Sequence, residues 1–584
     1  MTSLVCVPIM VLGPEQALRD ARAAKDQGAD LVELRIDEVF QGDGDEAGQR
    51  LVFRLVADCP LPCIITCRPA SEGGHYDGYE PSRIALFERL ATSFGTGESP
   101  PRYIDVELST YTRSANIRQK VNLAVDHPEQ SRDLSTSLIL STHDYDGRPA
   151  DLTRRILRMQ EEAAPKVLKV AWRARSLRDT IEVFDLLAQR DRPTIALAMG
   201  EFGLMSRVLA PKFGGFLTFA SLRPETATAP GQPTVRELLD LYRFRSIGPG
   251  TAVYGVIGYP LGHSLSPLVH NAGFEAAGLD AVYLPLPVPG GIEGGPIAAS
   301  GGYENLKATL GELLDYGPLN LRGASVTSPH KENLARLAVE MGWEMDEVSA
   351  SIRAANTLTA ERDPDGSVRR VRVSNTDAPA LSAIIRDEVG EVAGRSVAVI
   401  GAGGVARAAV YALATGGARV SVFSRRWQKS VLLAESSKHL GPGEVVAEPL
   451  SDLARGGFAA IIHGTPQGMS GGLARTAEER VRDEARQAMD EGEDKPPARC
   501  DARDAPVAVA ALGRCPGAVL IETVYNPVET PLLLAARAAG LPTVDGLSMF
   551  VRQAGLQFEG WTGGRAPLQL FDRLCREALV GSPA

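Results

Sequence analysis

Eight short β-rich runs, each followed by helical periodicity, fill the first 235 residues, and few folds accommodate that count. The runs are 5–10, 31–37, 63–68, 103–108, 137–145, 167–172, 194–200 and 216–221. Helical patterns lie between them, as at 15–27, 83–94, 152–162 and 176–189. Strand–helix alternation argues for a parallel sheet covered by helices. Eight such units close a (β/α)8 barrel, whereas an open doubly wound sheet gives no reason for the number eight.

The chain continues to 584 residues, too many for one hydrophobic core, so further domains follow the barrel. A net charge of −10 weighs against nucleic acid or an anionic membrane as partner. The seven cysteines lack Cys-x-x-Cys and zinc-ligand spacing, which suits a reducing cytoplasm and no metal. Neither a secretory leader nor an apolar run long enough to span a membrane is expected.

Barrel chemistry belongs at the C-terminal ends of the strands. Those ends carry Glu33, Arg35 and Asp37 on one face by the period of two, then Arg68 with Glu72 in the next loop. Asp105 and Glu107 sit on the fourth strand and Ser141-Thr142-His143-Asp144 on the fifth. Lys169 lies inside the apolar sixth strand, and Ser206-Arg207 and Ala229-Pro230-Gly231-Gln232 follow the seventh and eighth. Burial is expected to lower the pKa of Lys169, and a partly neutral amine forms an imine with a ketone. Lys166 is a rival, but three residues away it faces the other side of the strand. A histidine shuttles the proton that the imine acidifies, and arginines hold a carboxylate, which together suit β-elimination on a keto acid.

These residues, with the run Phe213-Gly214-Gly215-Phe216-Leu217-Thr218-Phe219-Ala220, resemble the type I 3-dehydroquinate dehydratases over essentially the whole first half. The resemblance implies that Lys169 is the Schiff-base lysine and His143 the general acid/base, oriented by Glu72. It implies that Arg207 grips the substrate carboxylate and that Glu33, Arg35, Arg68, Thr228 and Gln232 complete the pocket. Gly215 and Thr228 stand where the family more often has serine.

A last helix is expected over 235–245, and Ser246-Ile247-Gly248-Pro249-Gly250 then breaks the chain. Beyond it, polar clusters follow β-rich runs: Ser264 and Ser266, Ser325 to Lys331, Ala355 to Leu358 around Asn356, and Ser374-Asn375-Thr376-Asp377. Ser266 before Pro267 reads as a helix N-cap, a role not expected of Ser264. Lys331 and Asp377 form a candidate proton-transfer pair. A strand over 396–400 runs into Gly401-Ala402-Gly403-Gly404-Val405-Ala406 and a helix, the context in which glycines let backbone approach a pyrophosphate. The next strand ends in Ser424-Arg425-Arg426, where arginines favour the 2′-phosphate of NADP over NAD.

From about 252 to 567 these motifs resemble shikimate dehydrogenase, with Gly464-Thr465-Pro466-x-Gly468-Met469, Tyr525-Asn526-Pro527 and Gly546-Leu547-x-Met549 as further matches. The resemblance implies a two-lobed unit: a substrate lobe over 251–377, a Rossmann NADP-binding lobe over 378–547, and C-terminal helices over 548–584, after a TIM barrel over 1–245. It implies catalysis by Lys331 and Asp377. Ser264, Ser266, Thr327, Asn356, Tyr525 and Gln553 would bind substrate, and the Gly401 turn, Ser424, Arg425, Arg426 and Met549 would bind the nucleotide. Four departures from the family stand out: Ser325 and His463 stand for asparagine, Ala378 for glycine, and the run Ser424-Arg425-Arg426 for Asn-Arg-Thr. Ser325 and Ala378 are expected to border the substrate pocket. Extra length at 287–303, 361–370 and 471–514 reads as surface insertion.

Together the halves imply a bifunctional enzyme: 3-dehydroquinate is dehydrated in the barrel, and the product is reduced to shikimate with NADPH. A quinate/shikimate dehydrogenase working in catabolism, or a fold-retaining regulatory module, are the alternatives. The first is separated by substrate preference, the second by turnover.

Overall fold

The computed structural model describes residues 3–40, 46–92, 100–128, 134–229, 231–262, 264–290, 301–468 and 511–580. Pro230, His263 and Met469 of the quoted motifs, and the stretches 291–300 and 471–510, lie outside them. Two compact units are present: Met1–Ala252 with Asp280–Leu286 and Pro318–Asn320, and the remainder of the chain.

The first unit holds β1 (Leu4–Met10), β2 (Leu31–Arg35), β3 (Cys63–Thr66), β4 (Tyr103–Glu107), β5 (Ser137–Asp144), β6 (Pro165–Arg173), β7 (Thr194–Met199) and β8 (Leu217–Phe219). They form one parallel sheet in the order β7-β6-β5-β4-β3-β2-β1-β8. Across the seam Phe216 N donates to Thr194 O at 2.9 Å, so the sheet rolls up into the expected (β/α)8 barrel.

The inward faces explain why the fold builds a site. Leu31, Ile64, Tyr103, Ile139 and Val167 pack in one buried apolar cluster. Two residues further along each strand come Glu33, Thr66, Asp105, Ser141 and Lys169, all buried. The strand period of two therefore stacks a polar layer on the apolar one. The predicted helix over 235–245 is shorter. A wide helical turn ends at Leu241, because Arg243 takes φ 53°, a left-handed conformation that no continuing helix admits.

Beyond the barrel strands the chain carries two further sheets. One contains β9 (Ala252–Gly258), β10 (Ala281–Pro287), β11 (Leu321–Val326), β12 (Glu344–Met345), β13 (Thr357–Arg362) and β14 (Val368–Ser374), ordered β10-β9-β11-β13-β14-β12. Residues 361–370, read as extra length, form the paired ends of β13 and β14 and the turn between them. The other contains β15 (Ser396–Ile400), β16 (Arg419–Phe423), β17 (Glu444–Ala447), β18 (Ala460–His463), β19 (Val519–Glu522) and β20 (Thr543–Val544), ordered β17-β16-β15-β18-β19-β20. Every pair in it is parallel. Order reversal about β15 makes this a doubly wound Rossmann sheet with its crevice beyond Ile400 and His463. The helix Asp377–Ile384 runs across the expected lobe boundary at 377/378.

Candidate active site

In the barrel, Lys169 is 5% exposed, and its ammonium is wholly committed to carboxylates from other strands. Nζ donates to Asp105 Oδ2 at 2.9 Å and to Glu33 Oε1 at 3.2 Å, and lies 4.6 Å above the Phe219 ring centroid. Burial alone pulls its pKa down, as expected from the sequence. The Asp105 and Glu33 carboxylates outweigh that, and the net shift is upward. The resting lysine is thus a protonated, pre-paired ammonium rather than a partly neutral amine. Lys166 points elsewhere, 49% exposed and 3.3 Å from Asp126.

Asp105 links the cluster. It accepts Ser141 Oγ at 2.6 Å and lies 2.9 Å from Arg68 Nη2, and Arg68 reaches Glu107 at 2.7 Å. Burial pushes the Asp105 carboxyl up, but Arg68 and Lys169 hold it well below the usual carboxylate range. Thr66 Oγ1 donates to Glu33 at 2.7 Å, and Arg35 pairs with Asp37 at 2.8 and 2.9 Å.

His143 sits 3.2 Å from Glu72, which also accepts Ser109 Oγ at 2.8 Å. Burial, reinforced by the Arg68 and Lys169 cations, pushes the imidazole well below its ordinary value. Burial, with the Glu107 charge nearby, raises Glu72 to about 7. A neutral imidazole beside a carboxyl that titrates near neutrality can take and return a proton.

Arg207 lies on the helix Leu204–Val208 that follows β7. The residue is 2% exposed, and its Nε has no hydrogen-bond partner among the described residues. Burial alone lowers its pKa to about 10. A buried cation without a counter-charge is costly, and an incoming anion removes that cost. Thr228 and Gln232, after β8, bind each other, Thr228 N donating to Gln232 Oε1 at 3.1 Å. None of these three hydrogen-bonds the Lys169 cluster among the described residues.

Sequence reasoning left Asp105, Glu107 and Ser141 without roles, although all lie on predicted strand ends. Arg83 gave no signal at all. It is fully buried on the helix Glu80–Thr92 and donates to Glu107 Oε2 at 2.7 Å, completing an Arg83–Glu107–Arg68 chain.

In the second unit Lys331 Nζ donates to Asp377 Oδ2 at 2.6 Å. Asn356, 2% exposed, donates to Asp377 Oδ1 at 2.9 Å and to Thr376 Oγ1 at 3.0 Å. Gln553 accepts from Thr376 at 3.5 Å. Gln557, which the sequence did not flag, donates to Asn356 O at 3.2 Å and accepts Ser325 Oγ at 2.7 Å. Ser325 thus reaches the substrate side through Gln557. Ala378, by contrast, is buried in the apolar core of the nucleotide lobe, as is Met549.

Ser266 is the first residue of the helix Ser266–Ala276, not its cap. The cap is Leu265, which makes no side-chain cap bond, and Ser264 Oγ, one residue before it, accepts Ser266 N at 3.3 Å. The Tyr525 ring packs 4.7 Å from that of Phe550, and burial raises its hydroxyl to about 12. Thr327 N donates to Ile257 O at 2.8 Å at the crevice end of β9 and β11.

The residues of the glycine turn fit a dinucleotide. Gly401 has φ 124°, and a Cβ there would lie 2.6 Å from Gly464 O. The helix Gly404–Thr415 begins at Gly403 without a side-chain cap, leaving its first N–H groups for a phosphate. Ala402 and Val405 pack on the lobe core, and Ala406 belongs to it. A Cβ on Gly404 would come within 3.0 Å of Lys331 Cδ, which places the turn beside the Lys331–Asp377 pair. Past β16, Ser424 Oγ donates to Arg426 O at 2.9 Å and accepts Ser430 Oγ at 2.8 Å. Arg425 and Arg426 are exposed and form no ion pair among the described residues.

Among the described residues no group of His, Cys, Asp and Glu is placed to hold a metal ion, and no helix is long and apolar enough to cross a membrane.

A family model described as type I 3-dehydroquinase matches residues 5–249, and one described as shikimate dehydrogenase substrate binding domain matches 256–358. The chain is 32% identical to the bifunctional 3-dehydroquinate dehydratase/shikimate dehydrogenase, chloroplastic, of Arabidopsis thaliana, over 97% of this chain and 83% of the relative. It is 37% identical to the shikimate dehydrogenase (NADP(+)) of Methanocella arvoryzae over 56% of this chain and 99% of the relative. The pentafunctional AROM polypeptide of Malassezia globosa is 28% identical over 92% of this chain and 30% of its own length.

Proposed function

We infer what each residue does from the premise that this chain belongs to the family of bifunctional 3-dehydroquinate dehydratase/shikimate dehydrogenases. The enzyme dehydrates 3-dehydroquinate to 3-dehydroshikimate in the barrel and reduces that product to shikimate with NADPH in the second unit.

In the barrel, the substrate carboxylate pairs with Arg207, whose unpartnered buried charge is the observation that carries the reading. Lys169 passes a proton to a neighbouring carboxylate, its amine attacks the ketone carbon, and water leaves to give an iminium. The iminium acidifies the adjacent C–H, and His143 takes that proton, with Glu72 fixing the ring. The same histidine returns a proton to the β-hydroxyl, which leaves as water. Hydrolysis of the imine frees the enone and Lys169. Glu33, Arg35, Arg68, Thr228 and Gln232 hold hydroxyls and carboxylate around the ring.

In the second unit, NADPH supplies a hydride to the ketone carbon when bound. Lys331 donates the proton that the resulting alkoxide needs, and Asp377 holds the ammonium in place at 2.6 Å. Ser264, Ser266, Thr327, Asn356, Tyr525 and Gln553 orient the ring. The Gly401 turn would hold the pyrophosphate and Arg425 and Arg426 the 2′-phosphate, with Met549 backing the wall from the lobe core.

Borohydride added with 3-dehydroquinate tests the barrel half. Peptide mass mapping should find reduced adduct on Lys169 and none on Lys166. Adduct on another lysine would overturn the assignment.

A further inference from the structure

At the crevice end of the nucleotide-lobe sheet, a buried histidine takes no part in either reaction. His463 ends β18, Glu522 ends β19, and they are register partners. They are 5% and 0% exposed. His463 Nδ1 lies 2.9 and 3.1 Å from the two Glu522 oxygens. Glu522 also accepts Thr523 N at 2.8 Å, Val524 N at 3.0 Å and Thr530 Oγ1 at 2.9 Å. A carboxylate ringed by this many donors only accepts, so the Nδ1 proton belongs to the imidazole. In a neutral ring Nε2 is then an acceptor. Thr465 Oγ1 lies 2.6 Å from it and accepts Gln467 N at 3.3 Å. The Thr465 hydroxyl therefore has its proton committed and one lone pair left, and the residue is half-buried rather than sealed.

Sheet order says what that lone pair faces. Ser424–Arg426 follow β16, on one side of β15, and mark the adenosine side of the crevice. β18 and β19 lie on the other side, beneath the nicotinamide half of a dinucleotide. Thr465 also abuts the pyrophosphate turn, since a Cβ on Gly401 would lie 3.2 Å from Thr465 Cγ2.

We propose that Glu522 and His463 are positioning residues, a relay that aims the Thr465 hydroxyl to accept a hydrogen bond from the ribose on the nicotinamide side of NADPH. The proposal rests on the reductase reading above. It also accounts for the histidine that stands at 463 in place of asparagine.

The test measures the dissociation constant of NADPH by its fluorescence titration, together with steady-state reduction of 3-dehydroshikimate, on the full chain as His463→Ala, Thr465→Val and the double variant. Each single change is expected to raise the NADPH Kd and KM about tenfold while kcat and the KM for 3-dehydroshikimate stay within about twofold, the signature of lost uniform binding. The double variant should be no worse than the more affected single, because both act through one hydroxyl. Thr465→Ser should restore the wild-type KM. An unchanged NADPH Kd or KM, or additive effects in the double variant, would overturn the relay. Should His463→Ala not fold, His463→Gln replaces it with the same readings. A wild-type chain that does not reduce 3-dehydroshikimate sinks the reductase reading itself, before any variant is compared.

Discussion

Two lysines, each paired with carboxylate, sit in opposite surroundings, and the proposed function gives them opposite work. Lys169 is 5% exposed, bound to two carboxylates, and part of a network with Arg68 and Ser141. Among the described residues Lys331 pairs with Asp377 alone, its side chain is 16% exposed, and it stands against a glycine turn. The first environment suits a nucleophile. Closely placed carboxylates hold the ammonium and can accept its proton when a ketone arrives. The second suits a proton donor at a crevice a cofactor must enter and leave. On the proposed function, what separates nucleophile from acid is the number of charges around each lysine and its access to solvent.

The sharpest break of this comparison is Lys169→Ala. Dehydratase turnover should fall by about 10⁴-fold or more, with reductase turnover unchanged, because the covalent route is lost. Residual dehydration near wild type would mean that the buried cluster is only structural. Next, Lys331→Ala or Asp377→Asn should lower reductase kcat by roughly 10²–10⁴-fold and spare the dehydratase, as expected for general acid catalysis. Stopped-flow loss of NADPH absorbance reads this directly.

Arg207→Met should raise the KM for 3-dehydroquinate about a hundredfold, the worth of a charge-assisted pair at about 2–3 kcal/mol. The same variant should raise the thermal midpoint, since it removes a buried unpaired cation. A lowered midpoint with normal KM would show that Arg207 serves the fold. Replacing Arg425 and Arg426 together by alanine should cut the NADPH-over-NADH ratio in kcat/KM by about tenfold or more.

The smallest effect is on stability against pH. The folded state holds Glu72 at about 7, above the roughly 4.3 of an unfolded chain. It therefore binds that proton more tightly than the unfolded chain does. The stabilisation is complete below about pH 4.3 and is lost as pH rises to about 7. Glu72→Gln should gain on the wild type by about 1–3 kcal/mol across that window, read from urea unfolding at several pH values. A constant difference would contradict the assigned shift.

Much of the barrel was legible because the strand period of two writes the site into the chain. Leu31 then Glu33, Ile139 then Ser141, and Val167 then Lys169 each step from apolar floor to polar layer. What stayed hidden depends on partners distant in sequence. Lys169 meets Glu33 across 136 residues and Asp105 across 64, so its upward shift is invisible to local reasoning about burial. His463 meets Glu522 across 59 residues, and only β18–β19 pairing makes the odd histidine intelligible. Arg83 reads as an ordinary helix-surface arginine until Glu107 is seen 2.7 Å away. Ser266 is not the cap because the helix starts at Ser266, with Leu265 as its cap, a one-residue shift that sequence preference does not resolve.

The central claim, two separate sites working in series on one chain, is tested most directly by a coupled assay. Purified wild type and Lys169→Ala each receive 3-dehydroquinate and NADPH, and loss of NADPH absorbance is followed. The account predicts oxidation of NADPH by wild type, none by the variant, and full recovery of the variant when 3-dehydroshikimate is supplied. A variant that still consumes NADPH with 3-dehydroquinate, or a wild type that reduces 3-dehydroshikimate but ignores 3-dehydroquinate, would contradict it.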